Sequence, residues 1–248
     1  MQTISIEYNS ILIIESLRHN DIKTGKNLYD EIRRLHPDHK GIQYLPVVSA
    51  DDFTELMTEI ELQMTQNNKF RPIIDIETHG DSSCTQFADG SIMKWGDLMN
   101  ITRRLNKITN NELVVFLACC EGYRFLNSMS VAQYSPCGYL YAPPYEIHDV
   151  VINSATVVFF NEITESGDLD KAADLLRRMN INCFKSEIFF LNALTHSLIN
   201  DFQGDGKLKT DIDREEIINK LSIQFLGQSN KNYTSHVIKC FNEYINPD

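Results

Sequence analysis

The chain has 248 residues, 42% hydrophobic and 23% charged, enough for one sizeable core or one core with a small appended unit. Its 34 acidic and 23 basic residues give a formal charge of −11, without the clustered lysines and arginines that a broad nucleic-acid surface needs. No run approaches the ~20 apolar residues that span a bilayer, and the start MQTISIEYNS lacks the basic-then-apolar pattern of a secretory signal, so the expected location is the cytoplasm, with neither membrane nor nucleic acid as partner.

Residues 10–17 (SILIIESL) are apolar and β-branched and read as a buried strand, and 21–35 as a helix with Leu28, Ile32 and Leu35 on one face. Residues 42–48 predict a second strand, with Pro46 placing it at an edge or an end. Ser49 and Asp51-Asp52 start a helix running to about Gln66, with Phe53, Met57, Ile60 and Met64 inward. Residues 72–78 (PIIDIET) form a third strand that runs into His79-Gly80, followed by a loop with a turn at Asp89-Gly90. A helix over 95–108 aligns Leu98, Ile101 and Leu105; its Arg103-Arg104 pair reads as a solvated face. The most apolar strand, 113–118, runs into Cys119-Cys120-Glu121-Gly122, and a further strand spans Tyr139 to Ala142. Helices follow at about 151–165 and 169–179, and from 186 onward the pattern is all-helical, with segments near 211–222 and 233–245.

This alternation predicts an α/β fold, a mainly parallel sheet flanked by helices, over residues 1–180, with a helical C-terminal region over 181–248 packed on it. In such sheets chemistry gathers at the carboxyl ends of strands, where both His79 and Cys120 stand. The six cysteines (Cys84, Cys119, Cys120, Cys137, Cys183, Cys240) show no CxxC pair and read as free thiols, with no metal site expected. Asp201 to Gly206 looks like the start of a calcium loop, but its twelfth position is Ile212 where an acid is required, so it reads as a turn. His36 and His39 flank a Pro-Asp turn and read as solvated, His148 lies near the expected cleft, and His196 and His236 read as structural.

A thiol beside a histidine base is a nucleophile, and the histidine later protonates the leaving group. The two strand ends, IIDIETHG (73–80) and VVFLACCEG (114–122), resemble the caspase-like clan of cysteine peptidases, which includes caspases, metacaspases and CHAT peptidases. The caspase pattern Gln-Ala-Cys-any-Gly lies over Ala118 to Gly122 without a gap, with Ala118 and Cys119 in place of Gln and Ala and with Cys120 as nucleophile. The CHAT pattern Ala-Cys-any-any-Gly instead fits Ala118, Cys119 and Gly122, which leaves Cys119 as the alternative nucleophile. DGSIMKWGDL (89–98) and the segment 138–176 are similar to the flanking regions of bacterial relatives, so the resemblance covers about residues 10–180.

The resemblance implies a caspase-like sandwich and a cytosolic cysteine endopeptidase without cofactor, acting on a protein or peptide substrate as effector of a defence or cell-death system. His79 and Cys120 would form the dyad, and the N–H groups of Gly80 and Cys120 the oxyanion hole. Asp75, Glu77, Glu146 and Asp149 lie in the segments expected to bind substrate. Asp75 and Glu77, two apart, share one strand face and read equally as a polar pair bonded to backbone. No arginine stands among these segments, so a basic or neutral residue before the cut (P1) is expected over an acidic one. The competing readings are a catalytically inactive relative that binds a protein partner or regulator, and an unrelated small-molecule domain. The last is weakened by the lack of a glycine-rich phosphate loop.

Overall fold

The computed structural model describes residues 7–39, 41–203 and 211–227. Six strands form one sheet in the order β2-β1-β3-β7-β8-β9. They are β1 (Ser10–Glu15), β2 (Ile42–Pro46), β3 (Pro72–Glu77), β7 (Val114–Ala118), β8 (Tyr139–Ala142) and β9 (Asn182–Lys185). All neighbours pair in parallel except β8 with β9. This is the mainly parallel, helix-covered sheet that the alternating pattern predicts. The strands β1, β3 and β7 are buried along their whole length, as expected of strands covered on both faces. Pro46 ends β2 on the sheet edge, where its missing N–H costs no ladder bond.

The side-chain period of two sends alternate residues to opposite layers. Ile11, Ile13, Ile73, Val114, Phe116 and Tyr141 face α1 (Thr24–Leu35), α4 (Asp149–Ser166) and α5 (Leu169–Arg177), joining Leu28, Ile32, Ile152, Phe159 and Leu176 in one core. Leu12, Ile14, Ile74, Ile76, Val115 and Leu117 face α2 (Ala50–Gln66) and α3 (Trp95–Ile108), meeting Phe53, Met57, Ile60, Met64, Leu98 and Leu105. A capping box at Ser49 and Asp52 starts α2. Helix α1 begins three residues later than its sequence pattern predicts, because Arg18 to Lys23 form a tied loop. The Lys23 ammonium donates to the Leu17 and Arg18 carbonyls, and the Arg18 amide donates to Asp21 at 2.6 Å.

Two differences from the sequence reading concern strands. The segment after His79 holds a second, three-stranded antiparallel sheet: β4 (His79–Gly80), β5 (Cys84–Gln86) and β6 (Ile92–Lys94). The expected Asp89-Gly90 turn joins β5 to β6, with Gly90 at φ +91°. Residues 182–185 form a strand, so the main sheet ends inside the segment read as helical. Helices α6 (Ser186–Gln203) and α7 (Asp211–Leu226) follow. Residues 201–203 of the candidate turn end α6, while its remainder, His236, Cys240 and the segment near 233–245 lie outside the described residues. Helices α6 and α7 pack Phe190, Leu194, Ile218 and Phe225 together, and the Ser135 amide donates to the Phe225 carbonyl at 2.8 Å. Among the described residues no helix is long and apolar enough to cross a membrane.

Asp75 and Glu77 are wholly buried beneath the N-terminus of α1, beside Glu15. The Thr24 hydroxyl donates to Glu77 Oε2 at 2.6 Å and the Lys26 amide to Glu15 Oε2 at 3.1 Å. Both Asp75 oxygens and Glu77 Oε1 lack a hydrogen-bond partner. Burial, with the charge of Glu15, raises the Glu77 pKa to about 8, and burial with the Glu77 charge raises Asp75 well above the carboxylate range. Between the ordinary glutamate value of about 4.3 and the folded value of about 8, the folded chain therefore holds a proton that the unfolded chain releases. In that window Glu77 makes stability fall as pH rises. The Glu77→Gln variant is expected to lose less stability than wild type between pH 5 and about 8, read as the urea midpoint at each pH. Parallel curves for the two proteins would refute a buried, protonated Glu77.

Candidate active site

The register of β3 with β7 pairs Glu77 with Ala118. His79 and Cys120 each stand two positions beyond that pair. Neighbouring strands run about 4.8 Å apart and side chains alternate with period two, so the two residues come side by side on the face covered by α1 and α4. Both line one cavity of about 270 Å³, with Leu17, Asp21, Ile22, Thr24, Ile147, Asp149 and Ile152 among its walls.

Asp21, which the sequence reading did not single out, holds the histidine ring: Asp21 Oδ2 lies 2.7 Å from His79 Nε2. The carboxylate is itself fixed by the Arg18 amide, and the Arg18 guanidinium reaches Gln86 of β5 at 2.5 Å. Burial works to raise the Asp21 pKa, but the hydrogen bonds from His79 and Arg18 and their charges outweigh it, so the carboxyl sits below its ordinary value. A carboxylate on Nε2 makes that nitrogen the N–H donor of the neutral ring and leaves the lone pair on Nδ1. No local motif marks Asp21 in the polar run RHNDIK. The only available signal was its place in the loop after the carboxyl end of β1.

Cys120 is half-buried. The Ile147 amide donates to its Sγ at 3.5 Å, and the Ile147 carbonyl lies 3.6 Å away. The backbone turns sharply after it through Glu121, a left-handed residue at φ +53°. The Glu121 and Tyr123 amides then donate to the Tyr145 and Pro143 carbonyls at 3.1 and 3.0 Å. The segment after the cysteine and the loop after β8 are thus stitched together. Cys119, by contrast, is 4% exposed, and burial pushes its thiol pKa far up. Gly80 runs hard against this segment: a Cβ there would come within 2.5 Å of the Cys120 carbonyl oxygen.

Of the residues expected to bind substrate, Asp149 lines the same cavity as His79 and Cys120. Glu146 and His148 line a separate cavity of about 600 Å³ on the far side of Ile147, with Arg177, Met179 and Asn182. Asp75 and Glu77 lie outside both cavities, fully buried, so direct substrate contact is closed to them, and Glu77 bonds a threonine side chain rather than backbone. Two other readings change. His36 bonds Asn161 of α4 at 2.8 Å and His39 stacks on Tyr8, so neither is simply solvated. Arg103 and Arg104 bond the Tyr134 carbonyl and Glu61. Among the described residues no group of three or more His, Cys, Asp or Glu side chains is arranged to hold a metal ion.

No family model and no curated protein matches the sequence. Among solved structures the chain is similar to caspase-1 from Spodoptera frugiperda, with 11% identity over 69% of this chain and 77% of the other, at a TM-score of 0.46. It is also similar to a secreted C11 cysteine protease from Bacteroides thetaiotaomicron in complex with an irreversible peptide inhibitor, with 11% identity over 96% of this chain and 82% of the other, at a TM-score of 0.49.

Proposed function

We propose that the chain is a cysteine endopeptidase in which Cys120 is the nucleophile and His79 the base. The observation that carries this reading is the convergence of both residues on one cavity, with Asp21 fixing the histidine tautomer. His79 Nδ1 takes the thiol proton and Sγ attacks the carbonyl carbon of the scissile peptide. The backbone N–H groups of Gly80 and Cys120 receive the developing oxyanion. His79 then protonates the departing amine, and water, deprotonated by the same ring, hydrolyses the thioester. Asp21 supports the imidazolium formed on the way. Because the Ile147 peptide lies against Sγ, a substrate carbonyl reaches the sulfur only when that peptide gives way.

The cavity walls Leu17, Ile22, Ile147 and Ile152 are apolar, Asp149 stands on the wall as an exposed carboxylate, and among the described residues no lysine or arginine lines the space. This combination suits a neutral or basic P1 side chain and repels an acidic one.

A fluorogenic peptide library varied at P1 tests both parts. His79→Ala and Cys120→Ala are each expected to lower kcat/KM by about 100-fold or more. Peptides with Lys, Arg or Leu at P1 are expected to exceed those with Asp, and an acidic optimum would contradict the assigned cavity. Equal turnover by wild type and Cys120→Ala, or none by either, would sink the peptidase reading. For Asp21→Ala the expectation is a fall of about 10- to 100-fold in kcat at nearly unchanged KM. A rise in KM alone would show that Asp21 binds substrate instead.

A further inference from the structure

Cys119 lies next to Cys120 on the wall of the same cavity, is 4% exposed, and is enclosed on both sides by backbone of the site. A Cβ placed on Gly80 or on Gly122 would come within 3.1 Å of its Sγ. The thiol therefore fills a notch whose walls are the His79-Gly80 segment and the turn after Cys120. Behind it stand two buried hydroxyls, Thr78 and Thr85, at 4% and 1% exposure. Their oxygens are 2.7 Å apart, and Thr85 Oγ1 donates to the His79 carbonyl at 3.0 Å.

Proton counting fixes the direction of this chain. Each threonine hydroxyl has one proton to give. Thr85 spends its proton on the His79 carbonyl, so Thr78 must donate to Thr85. Hydroxyl, hydroxyl and carbonyl run head to tail from the end of β3 to the small sheet, an arrangement in which each bond polarises the next.

We propose that Cys119, Thr78 and Thr85 form a positioning column that sets the His79-Gly80 backbone at its distance from the Cys120 backbone, with Cys119 as spacer and the two hydroxyls as the tie to the His79 carbonyl. This rests on the peptidase reading for its catalytic consequence. The paired glycines leave room for one small side chain in the notch. Alanine would leave it underfilled, valine would overfill it against the backbone on either side, and serine would fill it with a slightly smaller volume.

The test uses the full chain with two readouts. The first is peptide turnover, the second the rate at which iodoacetamide alkylates Cys120, located by peptide mapping. Thr85→Val, nearly the same shape without the hydroxyl, is expected to lower kcat about 10-fold with KM unchanged, and Thr85→Ser to restore it. Cys119→Ser is expected to stay within about 3-fold of wild type, Cys119→Ala to fall about 10-fold, and Cys119→Val about 100-fold. The Cys120 alkylation rates are expected to fall in the same order, whether or not any peptide is turned over. Should wild type cleave no peptide while alkylation follows this order, the peptidase reading fails and the column stands. Wild-type alkylation in both Thr85→Val and Cys119→Ala would overturn the column. So would a Thr85→Ser variant as impaired as Thr85→Val, because only the hydroxyl distinguishes them. Thermal melting of each variant identifies any that fails to fold, and the Thr85 series decides alone if the Cys119 variants do not.

Discussion

The parallel register between β3 and β7 is the constraint on which the site depends. By pairing Glu77 with Ala118 it places His79 level with Cys120 and Cys119 one step out of phase. Because strand side chains alternate with period two, one residue of slip would exchange the two cysteines. The register is held firmly because it is also a packing register. Ile74, Ile76, Val115 and Leu117 face α2 and α3, while Ile73, Val114, Phe116 and Ala118 face α1, α4 and α5. Slippage would turn both sets over at once.

Loops finish what the sheet begins. The loop after β1 supplies Asp21, the turn after β7 supplies Cys120 and Glu121, and the loop after β8 supplies Ile147 and Asp149. All follow carboxyl ends of parallel strands, where no further strand residue competes for space. The turn after β7 and the loop after β8 are tied by two backbone bonds, Glu121 to Tyr145 and Tyr123 to Pro143, and by the Ile147 peptide against Cys120 Sγ. The buried carboxylates Glu15, Asp75 and Glu77 lie on the same face below the cavity; Glu77 ties the start of α1 through Thr24, itself a cavity wall, and Glu15 through the Lys26 amide.

How much of this was legible beforehand follows from what periodicity can report. Long apolar strands and amphipathic helices carry a repeating signal, so β1, β3, β7, α2 and α3 stand where their patterns place them. Strands β4, β5 and β6 have two or three residues each, too few for an alternation to show. The positions of His79 and Cys120 at strand ends were readable, but the choice between Cys119 and Cys120 was not, because register is a property of two strands and no single strand encodes it. Asp75 and Glu77 were correctly placed on one face, but they lie fully buried below the cavity rather than on its wall. Carboxylates are so seldom fully buried that a strand bearing two of them reads as facing a cleft. Asp21 escaped notice for the opposite reason, since an aspartate in a polar loop looks like any other until the fold brings a histidine to it.

The central claim is that Cys120, activated by His79, is the one reactive thiol of the site. Its most direct test is treatment with a peptidyl acyloxymethyl ketone, followed by intact mass and peptide mapping, in wild type and in His79→Ala. The account predicts a single adduct on Cys120 in wild type and none in His79→Ala under the same conditions. An adduct on Cys119, or labelling of Cys120 that is indifferent to His79, would contradict it.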